Sequence, residues 1–375
     1  MSSIMISAGE ASGDLHGSNL VHELKKLDSQ AQIFGIGGDK MQAAGMKLLY
    51  HINSMSIVGL TEIIRHIPFL RKVFRHLKNE LRKRKPQLLI LIDYPGFNLR
   101  LAKLANSMGI TIVYYITPQV WAWGHHRIKK MARLVNQAIV ILPFEKNIFI
   151  DAGIKTEFVG HPLLDFLKVK LNKQSFFQNL GLSSTKKTIG LLPGSRVSEV
   201  KNLLPNMLAT VYALRQKNSD IQILISKAPA LDESLFKNVF QSNSEIKLVD
   251  NQTYEIMKYS DLLMVASGTA TLEASFFKTP MVIVYKVSRI TYLIGKILIK
   301  IKDIGLVNII AGSRIVPEFV QNDFTVNKML PVMESLLFDK EKIEIIRANL
   351  SEIKHKMGTP GAAKRAARIA MNLIR

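Results

Sequence analysis

The chain contains no cysteine, which excludes disulfides and thiolate metal sites and suits a reducing, cytoplasmic setting. No run of about 18 apolar residues occurs. The longest apolar stretch, 290–301, is interrupted by Lys296 and Lys300, so no membrane-spanning helix is expected. The opening MSSIMISAGE has neither a basic leader nor a cleavage site and does not read as a signal peptide. There is no Asp-x-Asp, and the histidines show no ligand spacing with carboxylates, so no metal site is expected. Acids are scarce beside bases: 29 Asp and Glu against 51 Lys and Arg give a net charge of +22. That balance attracts nucleic acid, anionic lipid headgroups or phosphorylated substrates. Composition does not choose among them.

At 375 residues the chain exceeds what one core usually supports, so two domains are expected. Apolar runs at 4–8, 33–36, 88–92, 111–116 and 138–142 alternate with helical stretches, and the pattern restarts at 188–192, 221–225, 246–249, 262–266 and 281–285. Runs apolar throughout are the mark of parallel strands covered on both faces. The sequence therefore predicts an α/β protein of two Rossmann-like, doubly wound lobes facing a cleft. The first lobe spans 1–165, a polar connection follows at 166–187, and the second lobe takes up 188–340. Helices at 341–375 close the chain, with packing back on the first lobe as one option and Ala362, Ala366, Ile369 and Leu373 as a packing stripe.

Ligands in such folds sit at the carboxyl ends of the strands, and six loops there carry polar, aromatic or glycine residues. After the first strand come Gly9, Glu10, Ser12, Gly13 and Asp14. Glycine there admits a tight turn, and the following helix N-terminus favours anions; the plainer reading is a turn with Asp14 as a helix cap. Asp93 ends the run 88–92 and is placed to serve as a general base, or simply to cap the next helix. Trp121 and Trp123 follow another strand, as sugar platform or as loop anchor. His161 ends the first lobe, as a cleft residue or a structural histidine. In the second lobe Gly194, Ser195 and Arg196 offer a guanidinium and free backbone N–H groups suited to a diphosphate. Ser267, Gly268 and Thr269 open another helix, and Glu273, one turn on, is spaced to accept hydrogen bonds from a ribose diol. Surface charge and helix capping are the plain alternatives for Arg196, Ser267 and Glu273.

Taken in order, AGEASGD, IDYPGFN, PQVWAW, LPFE, FVGHP, LLPGSR, SGTATLE and NIIAG closely resemble the lipid-A-disaccharide synthases. The resemblance implies a GT-B type, inverting glycosyltransferase without a cofactor. Its donor would be UDP-2,3-diacylglucosamine and its acceptor the 6-hydroxyl of 2,3-diacylglucosamine 1-phosphate. It would work in lipopolysaccharide biosynthesis as a peripheral protein on the cytoplasmic face of the bacterial inner membrane, with a homo-oligomer left open. By the same resemblance Asp93 takes the family's essential acidic position and Arg196 its essential arginine, while Glu273 and Asn308 belong to donor-side motifs. Some relatives carry an acid where this chain has Gly96, which shifts the weight onto Asp93.

No RNA or DNA motif accompanies the positive charge, so nucleic acid is not an expected partner. A UDP-sugar epimerase on the same scaffold is the rival reading, because donor loops alone do not reveal the acceptor. For the membrane, the segment 63–85 has Leu70, Val73, Phe74, Leu77 and Leu81 at helical spacing among Arg71, Lys72, Arg75, Lys78 and further bases. That pattern predicts an amphipathic helix lying on anionic lipid, with an ordinary surface helix as the alternative and 290–302 as the next dock.

Overall fold

The computed structural model describes residues 1–55, 60–122, 124–239, 246–288, 292 and 302–374, with backbone alone at 60–67 and 237–239. Trp123 and, apart from Tyr292, the run 290–301 lie outside the described residues. The chain divides into two compact units, residues 1–165 with 357–375, and residues 166–356.

The first unit holds seven parallel strands: β1 (Ser3–Ala8), β2 (Gln32–Gly37), β3 (Lys47–His51), β4 (Leu88–Ile92), β5 (Thr111–Tyr115), β6 (Gln137–Val140) and β7 (Thr156–Phe158). Their order is β3-β2-β1-β4-β5-β6-β7. The central strands form because they are apolar at every position: all five residues of β4 are buried, with helices on both faces. Strand order reverses between β1 and β4, where Ala8 pairs with Ile92, and the loops leaving those two strands therefore flank a crevice.

Helices α1 (Ala11–Leu27), α2 (Asp39–Ala43), α3 (Leu60–Arg84), α4 (Pro95–Asn106), α5 (His126–Ala132), α6 (Glu145–Asp151) and α7 (Leu163–Phe166) connect or follow these strands. Val73, Leu77 and Leu81 of α3 are fully buried in the unit's core. This corrects the expectation of a helix lying on lipid through that stripe: the sheet face had to be covered, and α3 covers it.

The second unit repeats the arrangement. After α8 (Lys173–Asn179) come β8 (Lys187–Leu192), α9 (Val197–Lys217), β9 (Ile221–Lys227), β10 (Ile246–Asp250), α10 (Thr253–Tyr259), β11 (Leu262–Ala266), α11 (Thr269–Phe276), β12 (Met281–Tyr285), α12 (Leu306–Ala311) and β13 (Glu318–Val320). The strands lie in the order β10-β9-β8-β11-β12-β13, all parallel, so the reversal falls between β8 and β11. The stretch read as a polar connection is built into this unit: Phe176 and Phe177 of α8 are buried, and the Tyr259 ring packs 5.8 Å from Phe176.

Helices α13 (Val326–Phe338) and α14 (Lys340–Lys356) complete the second unit, and α15 (Ala362–Asn372) returns to the first. It lies against α1 through Ala362, Ala366, Ala367, Ala370 and Met371, with Ile369 and Leu373 only partly buried. Alanine at the contact lets the two backbones approach closely. Among the described residues no helix is long and apolar enough to cross a membrane.

Asp14 is a structural residue. It sits inside the first turn of α1 and is buried, and its carboxylate accepts hydrogen bonds from the backbone N–H of Gly38 (2.7 Å), Met41 (3.0 Å) and Lys40 (3.1 Å). It therefore caps α2 from a neighbouring helix, with both oxygens engaged. Asp14→Ala leaves those donors at a buried helix end without an acceptor, so a loss of about 2 to 4 kcal/mol is expected. The midpoint of urea unfolding of the first unit, followed by far-ultraviolet circular dichroism, should fall accordingly; an unchanged midpoint would show that the cap is dispensable.

Candidate active site

In the first unit the site is built around the end of β4. Asp93 and Tyr94 are both left-handed, with φ of +44° and +48°, a conformation that costs non-glycine residues on the order of 1 to 3 kcal/mol each. The cost is offset by a buried clamp on the Asp93 carbonyl, which accepts from Asn98 Nδ2 at 2.8 Å and from the Tyr114 hydroxyl at 2.7 Å. The same Asn98 amide reaches the carbonyls of Ile92 and Ser7 at 3.2 Å, and its Oδ1 accepts from Ser7 Oγ at 2.7 Å. Residues from β1, β4, β5 and α4 thus fix one backbone bend. With Tyr94 as the N-cap residue of α4, Asp93 does not cap the helix and its carboxylate is left for other work.

The β1 loop closes over this bend. A Cβ on Gly9 would stand 2.3 Å from Cγ of Tyr94, and one on Gly13 would stand 3.1 Å from Ala8 Cβ. Neither glycine has positive φ; the expected tight turn is a close approach instead. Glu10 and Ser12 are exposed at the start of α1. Burial, and then the charge of Glu10, raise the Asp93 carboxyl to about 6, with the Tyr94 backbone N–H pulling the other way.

Sequence reasoning passed over a second acid, Glu145. It is buried, and burial pushes its carboxyl up to about 7 despite bonds from Trp121 and backbone N–H groups, with Asp93 adding to the rise. Trp121 Nε1 donates to Glu145 Oε1 at 3.0 Å, the Leu142 N–H donates to Oε2 at 3.2 Å, and the Trp121 ring meets Phe144 edge-on at 5.1 Å. Trp121 is accordingly anchored in the loop, with part of its surface left open. The available signal was the LPFE segment, an acid directly after a buried strand.

His161 is built into the fold. It is buried, its Nδ1 accepts from the Leu163 N–H at 3.2 Å, and its backbone N–H donates to the Met357 carbonyl at 3.0 Å. Burial, with the neighbouring His16, lowers it to about 3, which favours the neutral ring.

In the second unit the loop after β8 is closed by its own acid. Glu199 Oε2 accepts from the N–H groups of Ser195 (2.9 Å) and Arg196 (3.2 Å), and Oε1 accepts from the Arg196 guanidinium at 3.1 Å, forming a capping box. Gly194, at φ +109°, is required because a Cβ would lie 2.3 Å from that carboxylate. The N–H groups expected to be free are therefore occupied. The Arg196 side chain itself is 79% exposed and keeps most of its donors.

The loop after β11 is open. Gly268 is the N-cap of α11 without a side-chain cap, and a Cβ there would have nothing within 4 Å. Gly268 and Thr269 are exposed, while Ser267 Oγ donates to the Ile304 carbonyl at 2.9 Å. Glu273 lies one turn further, raised to about 7 by burial; burial, and then the charge of Glu273, raise Tyr254. Asn308 is fully buried and committed: Nδ2 donates to the Val316 carbonyl (2.9 Å) and Glu318 Oε1 (2.8 Å), and Oδ1 accepts from Ile315 (2.9 Å) and Val316 (3.0 Å). It forms a bracket that holds residues 315–318 against α12. Among the described residues no three His, Asp or Glu gather as metal ligands.

The family model described as lipid-A-disaccharide synthetase matches residues 4–372. The lipid-A-disaccharide synthase of Geobacter sulfurreducens is 40% identical over 372 residues, covering 99% of this chain and 97% of that one. Among solved structures, UDP-GlcNAc 2-epimerase from Neisseria meningitidis (TM-score 0.63, 13% identity, 99% of each chain) shares the fold. So does the calicheamicin glycosyltransferase CalG4 (TM-score 0.65, 14% identity, 100% of this chain and 98% of that one). Identities of this size report the two-lobed fold alone, so the epimerase likeness carries no activity to this chain. Matched along nearly its whole length by family model and relative alike, the chain belongs to the lipid-A-disaccharide synthetase family of UDP-sugar glycosyltransferases.

Proposed function

We propose that the enzyme transfers 2,3-diacylglucosamine from its UDP derivative to the 6-hydroxyl of 2,3-diacylglucosamine 1-phosphate, with Asp93 as the general base. The observation that carries the reading is the state of Asp93: clamped in a strained bend at the strand reversal, raised to about 6, and not spent on helix capping. A base with that affinity for protons is largely ionised at neutral pH and still accepts a proton as the acceptor oxygen attacks. In one displacement the acceptor oxygen bonds to the donor's anomeric carbon, the bond to the diphosphate oxygen breaks, and the hydroxyl proton passes to Asp93. UDP leaves with its negative charge stabilised by the exposed Arg196 guanidinium and the uncapped N-terminus of α11. Glu273 takes the ribose hydroxyls. Reaching acylated substrates requires the protein to work at the inner membrane's cytoplasmic surface, and the +22 charge supplies the attraction to anionic lipid.

Asp93→Asn keeps the shape and removes the base, so turnover should drop at least about 100-fold with UDP affinity kept; near-normal turnover would eliminate Asp93 from proton transfer. The pH dependence follows in sign: below about 6 Asp93 is protonated and cannot accept, so wild-type kcat/KM should fall with acidification through that value. A flat profile between pH 5 and 8 would count against the assignment.

Arg196→Ala and Glu273→Ala should each weaken UDP binding by on the order of 1 to 3 kcal/mol, measured by calorimetry. Undiminished affinity in both would remove the donor assignment. Membrane attraction should be salt-sensitive, and weaker when the exposed Lys72, Arg82 and Lys83 of α3 become Gln together. Sedimentation with anionic vesicles reads this, and equal binding by the triple variant would place the contact elsewhere.

A further inference from the structure

Beside the bend at Asp93 lies a cavity of about 840 Å³ between α3 and the first turns of α4, within the size range of sites that hold a small amphiphile. Its floor is apolar: Leu70, Phe74, Tyr94 and Phe97. The aromatic rings brace one another, Phe74 edge-on to Phe97 at 6.2 Å and Tyr94 5.9 Å from Phe97. The floor is continuous with the buried core beneath it.

Its rim is cationic. Arg71, Arg75 and Lys78 come from α3 and Arg100 from α4. None of the four makes an ion pair or hydrogen bond with a described residue, whereas Arg84 on the same α3 is held by Glu80 at 2.5 Å. Among the described residues no acid lines the cavity. Four like charges around one apolar hollow repel each other, and the arrangement is relieved by an anion shared among them. Tyr94, which directly follows Asp93 in sequence, walls the cavity.

We infer that this cavity binds the acceptor: one acyl chain on Leu70, Phe74 and Phe97, and the phosphate among Arg75, Lys78 and Arg100. The inference rests on the acceptor reading above and assigns it a subsite. A lipid surface is the weaker fit, because a bilayer is met by protruding side chains, whereas these cations surround a concavity that admits one molecule. Gly96 lies at the exposed edge of the cavity, with nothing within 4 Å of the place a Cβ would take, and so leaves its entrance open.

The test is equilibrium binding of 2,3-diacylglucosamine 1-phosphate to the full-length protein in detergent without donor, followed by kinetics with donor. In Arg75→Gln/Arg100→Gln, affinity for this lipid should fall at least about 10-fold as charge-assisted contacts to phosphate are lost. Preference for it over the same lipid without phosphate should shrink by a similar factor, while KM for the UDP-sugar stays within about twofold. Gly96→Trp, which obstructs the entrance from solvent, should weaken both lipids alike and leave the phosphate preference standing. Unchanged affinity and preference in the double variant, with an unchanged melting temperature, overturns the inference; so does loss of anionic-vesicle binding with phosphate preference intact, which would assign these cations to the membrane surface. If the wild type binds the lipid through these residues but never glycosylates it, the subsite stands and the acceptor reading fails.

Discussion

A single buried amide holds the first unit's site in place. Asn98 has no solvent to turn to, so its amide must find protein partners, and it finds them on the carbonyls that end β1 and β4 and on Asp93 itself. With the Tyr114 hydroxyl on the same Asp93 carbonyl, three adjacent strands share in keeping two left-handed residues in place. Tyr94 and not Asp93 takes the N-cap position, so α4 starts without the Asp93 carboxylate as a cap. Gly9 then packs its backbone against the Tyr94 ring, which brings the Glu10 charge near enough to raise Asp93. The geometry of the loop and its proton affinity have one origin.

Most of the fold was legible because its signal is simple. Strands buried on both faces are apolar at every position, and β4, β11 and β12 fall where the runs 88–92, 262–266 and 281–285 lie. The strands that escaped notice are edge strands. β3 is half-exposed along its length, and β7 and β13 span three residues each, so neither burial nor length marks them in sequence. The segment 166–187 misled through its polar composition: only Phe176 and Phe177 are needed to anchor a short helix. The α3 stripe misled differently, since a helix face buried in a core and one buried in lipid have the same periodicity.

The site was legible at the level of loops and less so at the level of atoms. Asp93, Arg196 and Glu273 all stand at the two strand reversals, as their positions after buried strands implied. Asp14, His161 and Asn308 follow strands or glycine turns in the same manner, yet each engages backbone groups through its side chain, and Asn308 engages Glu318 as well. Sequence cannot separate these cases, because the partners of Asp14 lie more than twenty residues away and those of Asn308 depend on where β13 pairs. Glu199 is the reverse instance, an acid four residues after Ser195 that fills the loop expected to wait for phosphate. Glu145 was missed for want of any local motif beyond its place after β6.

The proposed proton transfer depends on the proton affinity of Asp93, which is measurable directly. Carbon-13 NMR of protein labelled at the aspartate side-chain carboxyl, with the signal identified by its loss in Asp93→Asn, follows that one group through a pH titration. A midpoint near 6, as burial and Glu10 dictate, and a lower midpoint in Glu10→Gln, is the result predicted here. Titration near the ordinary aspartate value of about 3.9, indifferent to Glu10, would contradict it and leave the base of the reaction to be sought elsewhere.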